Sequence, residues 1–231
     1  MPTTNFPNGI TNNTAQNCLG QMTQEDQTLL HTYFNDFDNY VAGDWTVTAS
    51  GSATQALTNG DGGIILITNS AGNSDLVALQ KKGESFLFEV NKELFFKCRF
   101  KISDATKSAF VFGLQVTDTT PFAVSDGVFF SKAAASTAIA FNAFKASSGT
   151  TVNSIATLSD NTYITLAFYY DGSGFVNYYA GTNTLNPTFI GRIPSTNIPN
   201  TQTTTVSFAL TNGEAVAKNM SIDYIFAAKD R

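Results

Sequence analysis

The chain has 231 residues, 42% of them hydrophobic with 20 Phe and 8 Tyr, and carries a formal net charge of −5. A length of this order fits one large β domain, or one domain with a tail, and buries about 70–75% of the unfolded surface, so a full core forms without staples. Charged residues are only 13% of the chain, against about 25% in a typical soluble domain, and the acidic balance disfavours steering toward nucleic acid or an anionic membrane.

Residues 1–32 differ from the rest. They are rich in Thr, Asn and Gln, and the opening Met1-Pro2-Thr3-Thr4-Asn5 has neither a basic region nor an apolar run. Folding in a cytoplasm is therefore expected. The run from Thr23 to His31 reads as a short helix or turn, with Thr23 as cap and Asp26 at the third helical position. The whole segment reads either as an arm that reaches for a partner or as a plain unstructured terminus.

The body, 33–231, is expected to be all-β, with about 13–15 antiparallel strands and turn chemistry every 8–12 residues. Leu94, Phe96, Cys98, Phe100 and Ile102 point one way, and Phe95, Lys97, Arg99 and Lys101 the other. Phe110, Phe112, Leu114 and Val116 repeat the alternation, as do Val206, Phe208 and Leu210. Met220, Ile222, Tyr224 and Phe226 are read as one further face. Ile64–Ile67 and Ile164–Tyr170 look buried on both sides. Asn59-Gly60-Asp61-Gly62-Gly63, Asp126-Gly127, Asp171-Gly172-Ser173-Gly174 and Asn212-Gly213 mark turns, and Ser147-Ser148-Gly149 the tip of a weaker pair.

The chemistry-bearing residues are sparse. His31 is the only histidine, so a Ser–His or Cys–His unit would have to use it; its plainer reading is packing at the junction of arm and body. Cys18 and Cys98 read as free thiols, a bridge between them being the alternative. Zinc spacing is absent. Glycoside hydrolysis needs two facing carboxyls. Glu84 and Glu89 have Phe86 between them, Glu93 follows a turn, and all three are expected to be solvent-facing strand residues. Gly60-Asp61-Gly62-Gly63 lacks the lysine of a phosphate loop. Asp36, Asp38, Asp61, Asp126 and Asp171 lie in or beside turns without a spaced calcium motif, so no cofactor is expected. Lys97, Arg99 and Lys101 form a basic stripe about 13 Å long. It is either a contact for an acidic partner, extended by Lys81-Lys82, or ordinary edge protection.

The phrases Phe34-Asn35-Asp36-Phe37-Asp38, Trp45-Thr46-Val47-Thr48, Gly62–Thr68, Leu94–Ile102 with Phe110–Leu114, and Ile222-Asp223-Tyr224-Ile225 resemble the concanavalin-like lectin and glucanase jelly-roll sandwich over about residues 33–228. Phe34–Phe37, Gln80–Phe86, Phe100–Ala105 and Phe168–Gly172 are similar to tailed-phage virion structural proteins of marine and cyanobacterial type. That resemblance implies a non-enzymatic capsid decoration or cement protein, assembled in host cytoplasm. It would bind the major capsid protein lattice as a homo-oligomer, a trimer suiting a three-fold site. The alternative is a lectin-like carbohydrate-binding module, with Tyr170, Tyr178, Tyr179 and Trp45 as stacking platforms, Trp45 more naturally packing in the core. An enzyme acting on glycans is the third reading; no paired acids support it.

Overall fold

The computed structural model describes residues 27–60 and 62–231. Among them fifteen strands run in chain order: β1 (Leu30–Asn35), β2 (Trp45–Ala49), β3 (Thr54–Thr58), β4 (Ile64–Thr68), β5 (Leu76–Lys81), β6 (Leu94–Ile102), β7 (Ser108–Gln115), β8 (Gly127–Lys132), β9 (Ala138–Lys145), β10 (Ser148–Thr157), β11 (Ile164–Tyr170), β12 (Phe175–Thr182), β13 (Thr188–Pro194), β14 (Thr205–Asn212) and β15 (Asn219–Asp230). They build two antiparallel sheets. One has eight strands in the order β13-β12-β11-β6-β15-β4-β3, with β1 also paired to β15; the other has seven, β10-β9-β8-β7-β14-β5-β2. The helical turns are short 3-10 pieces, and no helix of the described residues is long and apolar enough to cross a membrane.

Period-two alternation sends one face of each strand into the layer between the sheets. Leu94, Phe96, Cys98, Phe100 and Ile102 of β6 are all buried there, facing Phe110, Phe112 and Leu114 of β7. Aromatic rings join the sheets. Phe112 lies 6.0 Å from Phe96, 5.2 Å from Phe100 and 5.2 Å from Phe208 between ring centroids. Such pairs contribute about 0.5–1.5 kcal/mol each beyond their buried area. At one end the sheets are stapled by polar groups: Asn69, just past β4, donates to Asn212 Oδ1 at 3.0 Å and to the Leu210 carbonyl at 3.2 Å.

Three expectations change. The sheet begins at Leu30, inside the stretch assigned to the arm: Leu30, His31 and Thr32 pair with Asp230, Lys229 and Ala228. The reason is an unoccupied flank. Along β15, β4 pairs with Asn219–Ile222 alone, leaving the C-terminal half of β15 open to β1. Of the expected helix, Gln27–Leu29 forms a 3-10 turn; residues 1–26, with Thr23, Asp26 and Cys18, lie outside the described residues.

Glu84, Glu89 and Glu93 are not in strands. They lie in the connection between β5 and β6, which is tied down by one bridge between Phe86 and Thr204. Phe86 and Phe88 enter the core from this loop, so their burial rather than a ladder fixes its path.

β6 is not an edge. It lies between β11 and β15, so its basic stripe has no edge to protect.

Candidate functional site: a groove on the outer face of the eight-stranded sheet

The outer face of β6 is set by its neighbours' register. Phe95 pairs with Tyr169 and Ala228, Lys97 with Ala167 and Phe226, and Arg99 with Thr165 and Tyr224. Phe34 of β1 stands opposite Phe226. The stripe Lys97–Arg99–Lys101 therefore runs down the middle of a sheet face rather than along its rim.

β15 carries a bulge here. Ile222 pairs with Phe100 and Tyr224 with Arg99, leaving Asp223 as the extra residue. Ile222 and Ile225 both enter the core, so Asp223 and Tyr224 both leave it. This corrects the single face expected for Met220, Ile222, Tyr224 and Phe226: the first two are core, the last two belong to the outer face. Bulges re-aim side chains in this way and are frequent beside binding sites. The flank of β15 at the bulge has no ladder, since pairing with β4 stops at Ile222 and pairing with β1 starts at Ile225. Chain from Asp36-Phe37 and Gly62-Gly63 closes it. Gly63 has φ of 86°, and a Cβ there would lie 2.6 Å from the Asp36 carbonyl oxygen. Glycine is the residue that permits this approach.

Two adjoining hollows open over this region. The first, about 530 Å³, is lined by Phe34, Lys97, Leu185, Tyr224 and Phe226. The second, about 560 Å³, shares Phe34, Leu185 and Tyr224 and adds Asp36, Gly62, Ile64, Arg99, Tyr163 and Asp223. Phe34 and Leu185 form the walls, 61% and 57% exposed. Leu185 is carried on the connection between β12 and β13, which is held down where Thr165 Oγ1 donates to the Thr184 carbonyl and Asn183 N–H to the Tyr163 carbonyl.

The floor is cationic and aromatic. Lys97 Nζ lies 5.5 Å from the Tyr224 ring centroid, Arg99 Cζ 4.1 Å from Tyr163, and Lys101 Nζ 4.9 Å from Tyr163. Arg99 Nη1 donates to Asp223 Oδ2. Two further groups, Arg99 Nε and the Tyr224 hydroxyl, are closed off from solvent and have no hydrogen-bond partner among the described residues. The Thr165 hydroxyl lies beside Tyr224 but is turned to the Thr184 carbonyl. Burial pushes the Tyr224 and Tyr163 phenols up, so both rings stay neutral hydrogen-bonding platforms.

The other residues singled out in the sequence lie elsewhere. Tyr170, Tyr178 and Trp45 are buried in the main core, and Tyr179 is fully buried in a small outer cluster with Phe95, Ala167 and Tyr169. Trp45 packs in the core as expected, whereas Tyr170, Tyr178 and Tyr179 are covered by neighbouring residues and are not surface platforms. Glu89 pairs with Lys229 and Lys92. Burial raises the Glu93 carboxyl, beside Tyr169 and Asp230. Among the described residues no group of three or more His, Cys, Asp or Glu could hold a metal. Asp126 accepts from Ala146 N–H, and Asp171 from Ser173, Gly174 and Phe175 N–H, so these carboxylates hold turns; Asp61 lies outside the described residues. Cys98 is fully buried and burial raises its thiol.

His31 Nε2 lies 2.9 Å from Ser85 Oγ, the spacing of a nucleophile and its base. The surroundings oppose that role. Burial, Arg231 and Lys229 all lower the imidazole's proton affinity, and among the described residues no carboxylate is bonded to its other nitrogen. The ring packs on Phe86 at 4.9 Å.

Solved structures decide the fold. The structure matches a Bacillus licheniformis β-glucanase with a TM-score of 0.61 at 13% identity, covering 85% of this chain and 97% of that one. The fold is the concanavalin-like jelly roll. Peanut lectin shares this jelly roll with a TM-score of 0.57 at 10% identity, covering 87% of this chain and 97% of that one. A protein of unknown function from Shewanella oneidensis reaches 0.60 at 18% identity, covering 87% of each chain. No family model and no curated sequence matches the chain.

Proposed function

We propose that the protein is a non-catalytic carbohydrate-binding module that seats a glycan chain in the groove over β6 and β15. The observation that carries this reading is the groove's make-up. An exposed aromatic wall, Phe34, and an aliphatic one, Leu185, face a floor of tyrosines and fixed cations. Sugar rings present apolar faces and polar rims, and such a surface offers partners to both. Similarity to peanut lectin and to a β-glucanase supports the reading at the level of fold. Hydrolysis needs two carboxyls free to face one bond. Among the described residues the acids lining the groove are Asp36 and Asp223, and Asp223 is engaged by Arg99. Isothermal titration against a panel of oligosaccharides tests the proposal. Saturable binding without turnover, weakened at least several-fold by Phe34→Ala, supports it; no binding to any glycan, or clear turnover, removes it.

A second reading is a decoration protein on a virion shell, holding to the capsid lattice as a homo-oligomer. Its support is the resemblance of Phe34–Phe37, Gln80–Phe86, Phe100–Ala105 and Phe168–Gly172 to tailed-phage structural proteins. The edge strand β13 adds to it by exposing Phe189 and Ile190, and edge strands are ready sites for pairing with another chain. Labelling the protein on purified particles tests this setting. Loss of shell occupancy in Ile190→Lys supports it, and absence from particles overturns it.

A further inference from the structure

We propose that the groove takes sugars that carry an apolar substituent, an alkyl, acyl or aryl group. The sugar sits in the hollow over Arg99, and the substituent in the hollow between Phe34, Leu185 and Phe226. This rests on the glycan-binding reading above and names its ligand class.

The two hollows differ in chemistry. The one of about 530 Å³ is walled by Phe34, Leu185, Tyr224 and Phe226, and its open surface is almost wholly carbon. Lys97 lies in its floor as a buried residue, with Nζ 5.5 Å from the Tyr224 ring centroid. The Tyr224 hydroxyl is closed off from solvent, so that ring offers the hollow its carbon edge. A bare sugar seated here loses water from its hydroxyls and finds few partners among the described residues. Burying a hydroxyl without a hydrogen bond is unfavourable. An alkyl chain or an aromatic ring has no such loss.

This hollow is also firm. The Phe226 ring lies 6.3 Å from Phe34 and 5.9 Å from Phe95 between centroids, and Phe95 is fully buried. Leu185 is carried on the connection tied to Thr165 and Tyr163. Phe34 and Leu185 nevertheless stay largely exposed, two large apolar side chains from separate elements on either side of one hollow. Covering them with carbon removes apolar surface from water, which is favourable.

The adjoining hollow, about 560 Å³, is polar where the first is not. Arg99 is held over the Tyr163 ring and by Asp223, and Asp36 lines the same hollow. Sugar hydroxyls both donate and accept, a carboxylate accepts and a guanidinium donates, so this end suits a sugar. Phe34, Leu185 and Tyr224 line both hollows. A ligand that fills both therefore has its polar and apolar parts joined directly. A plain polysaccharide repeats hydroxyls along its whole length, and a free alkyl chain leaves the Arg99 hollow unused. A substituted sugar matches the order of the two.

The test titrates the full chain with methyl, octyl and phenyl β-glucoside, each below micelle formation. Octyl tetraethylene glycol, which has the alkyl chain and no sugar, is the control. Each buried methylene strengthens binding about four-fold. Octyl or phenyl glucoside is expected to bind at least about ten-fold tighter than methyl glucoside, and the tighter of the two identifies the substituent as alkyl or aryl. Phe226 lines the apolar hollow and not the polar one, so Phe226→Ala should remove most of that difference. If this variant does not fold, Leu185→Ala, at an exposed position, decides the matter and should cut the difference several-fold. A difference untouched by either change overturns the placement of the substituent. Equal binding of the three glucosides overturns the substituted-sugar class and leaves the glycan reading standing. Octyl tetraethylene glycol binding as tightly as octyl glucoside overturns the need for a sugar. No binding of any glucoside removes this proposal, and the oligosaccharide panel then decides the glycan reading separately.

Discussion

Arg99 of β6 and Asp223 of β15 are 124 positions apart and form an ion pair because β15 contains one residue too many. Without that bulge, continued alternation would place Asp223 and Tyr224 on opposite faces, and a carboxylate or a phenol would enter a core built of Phe and Ile. The extra residue puts both on the outer face, where they form the floor of the groove. The pair neutralises a half-buried guanidinium and holds its plane still.

Removing one partner of this pair should therefore cost more than removing both. Breaking a fully buried pair costs about 3–5 kcal/mol. With side chains 21% and 13% exposed, about 2 kcal/mol is expected for Asp223→Ala, since solvent screens part of the interaction. In urea unfolding, the double variant Arg99→Gln with Asp223→Asn should lose less than the sum of the two single changes. Additive losses would mean that the two side chains are not coupled.

The groove walls should separate binding from stability. Phe34 is 61% exposed, so Phe34→Ala should move the unfolding free energy by less than about 1 kcal/mol. Phe112→Ala removes a ring that is fully buried between Phe96, Phe100 and Phe208, and should cost about 3–5 kcal/mol. A comparable loss for both would place Phe34 in the core rather than on a ligand surface.

The hairpin between β9 and β10 turns through Ala146 and Ser147, with φ of 48° and 66°. Both sit in a region that favours Gly and Asn, and Asp126 holds the turn through Ala146 N–H. Replacing the pair by Asn-Gly should stabilise the protein by about 1 kcal/mol, as the turn then matches its residues. A lowered midpoint in thermal unfolding would contradict this.

His31 is the only histidine, so its titration is a single, assignable NMR signal. Burial, Arg231 and Lys229 each hold its pKa below 6.5. The unfolded chain then takes up the proton first as pH falls. Stability should decline from about pH 6.5 down to the folded-state midpoint and be independent of this group above and below that window. Arg231→Gln should move the midpoint upward. A folded-state midpoint at or above 6.5 would refute the placement of His31 against two cations.

The alternating rows of β6, β7 and β14 were legible because period-two burial needs no knowledge of neighbours. The two-sheet architecture follows from those rows and the spacing of turns. The groove was legible only in part. Lys97, Arg99 and Lys101 stand out as a row of like charge, but whether β6 is an edge or a centre depends on pairing across more than 100 residues. Phe34, Tyr163 and Leu185 carry no local signature; the register of β1 with β15 and the path of one connection bring them together. The bulge left a trace in Ile222 and Ile225, three apart instead of two, a break in period that marks a residue turned outward. Tyr170, Tyr178 and Tyr179 show the reverse failure: aromatic residues in a strand cannot be assigned to surface or core until the covering layer is known.

The central claim is that the outer face of the eight-stranded sheet is the binding surface. Amide and side-chain NMR shifts recorded during titration with an oligosaccharide from the binding panel test it most directly. The account predicts saturable shifts at Phe34, Lys97, Arg99, Tyr163, Leu185 and Tyr224, with β7, β8 and β9 of the opposite sheet unmoved. Shifts confined to the seven-stranded sheet, or to the β13 edge, would contradict it.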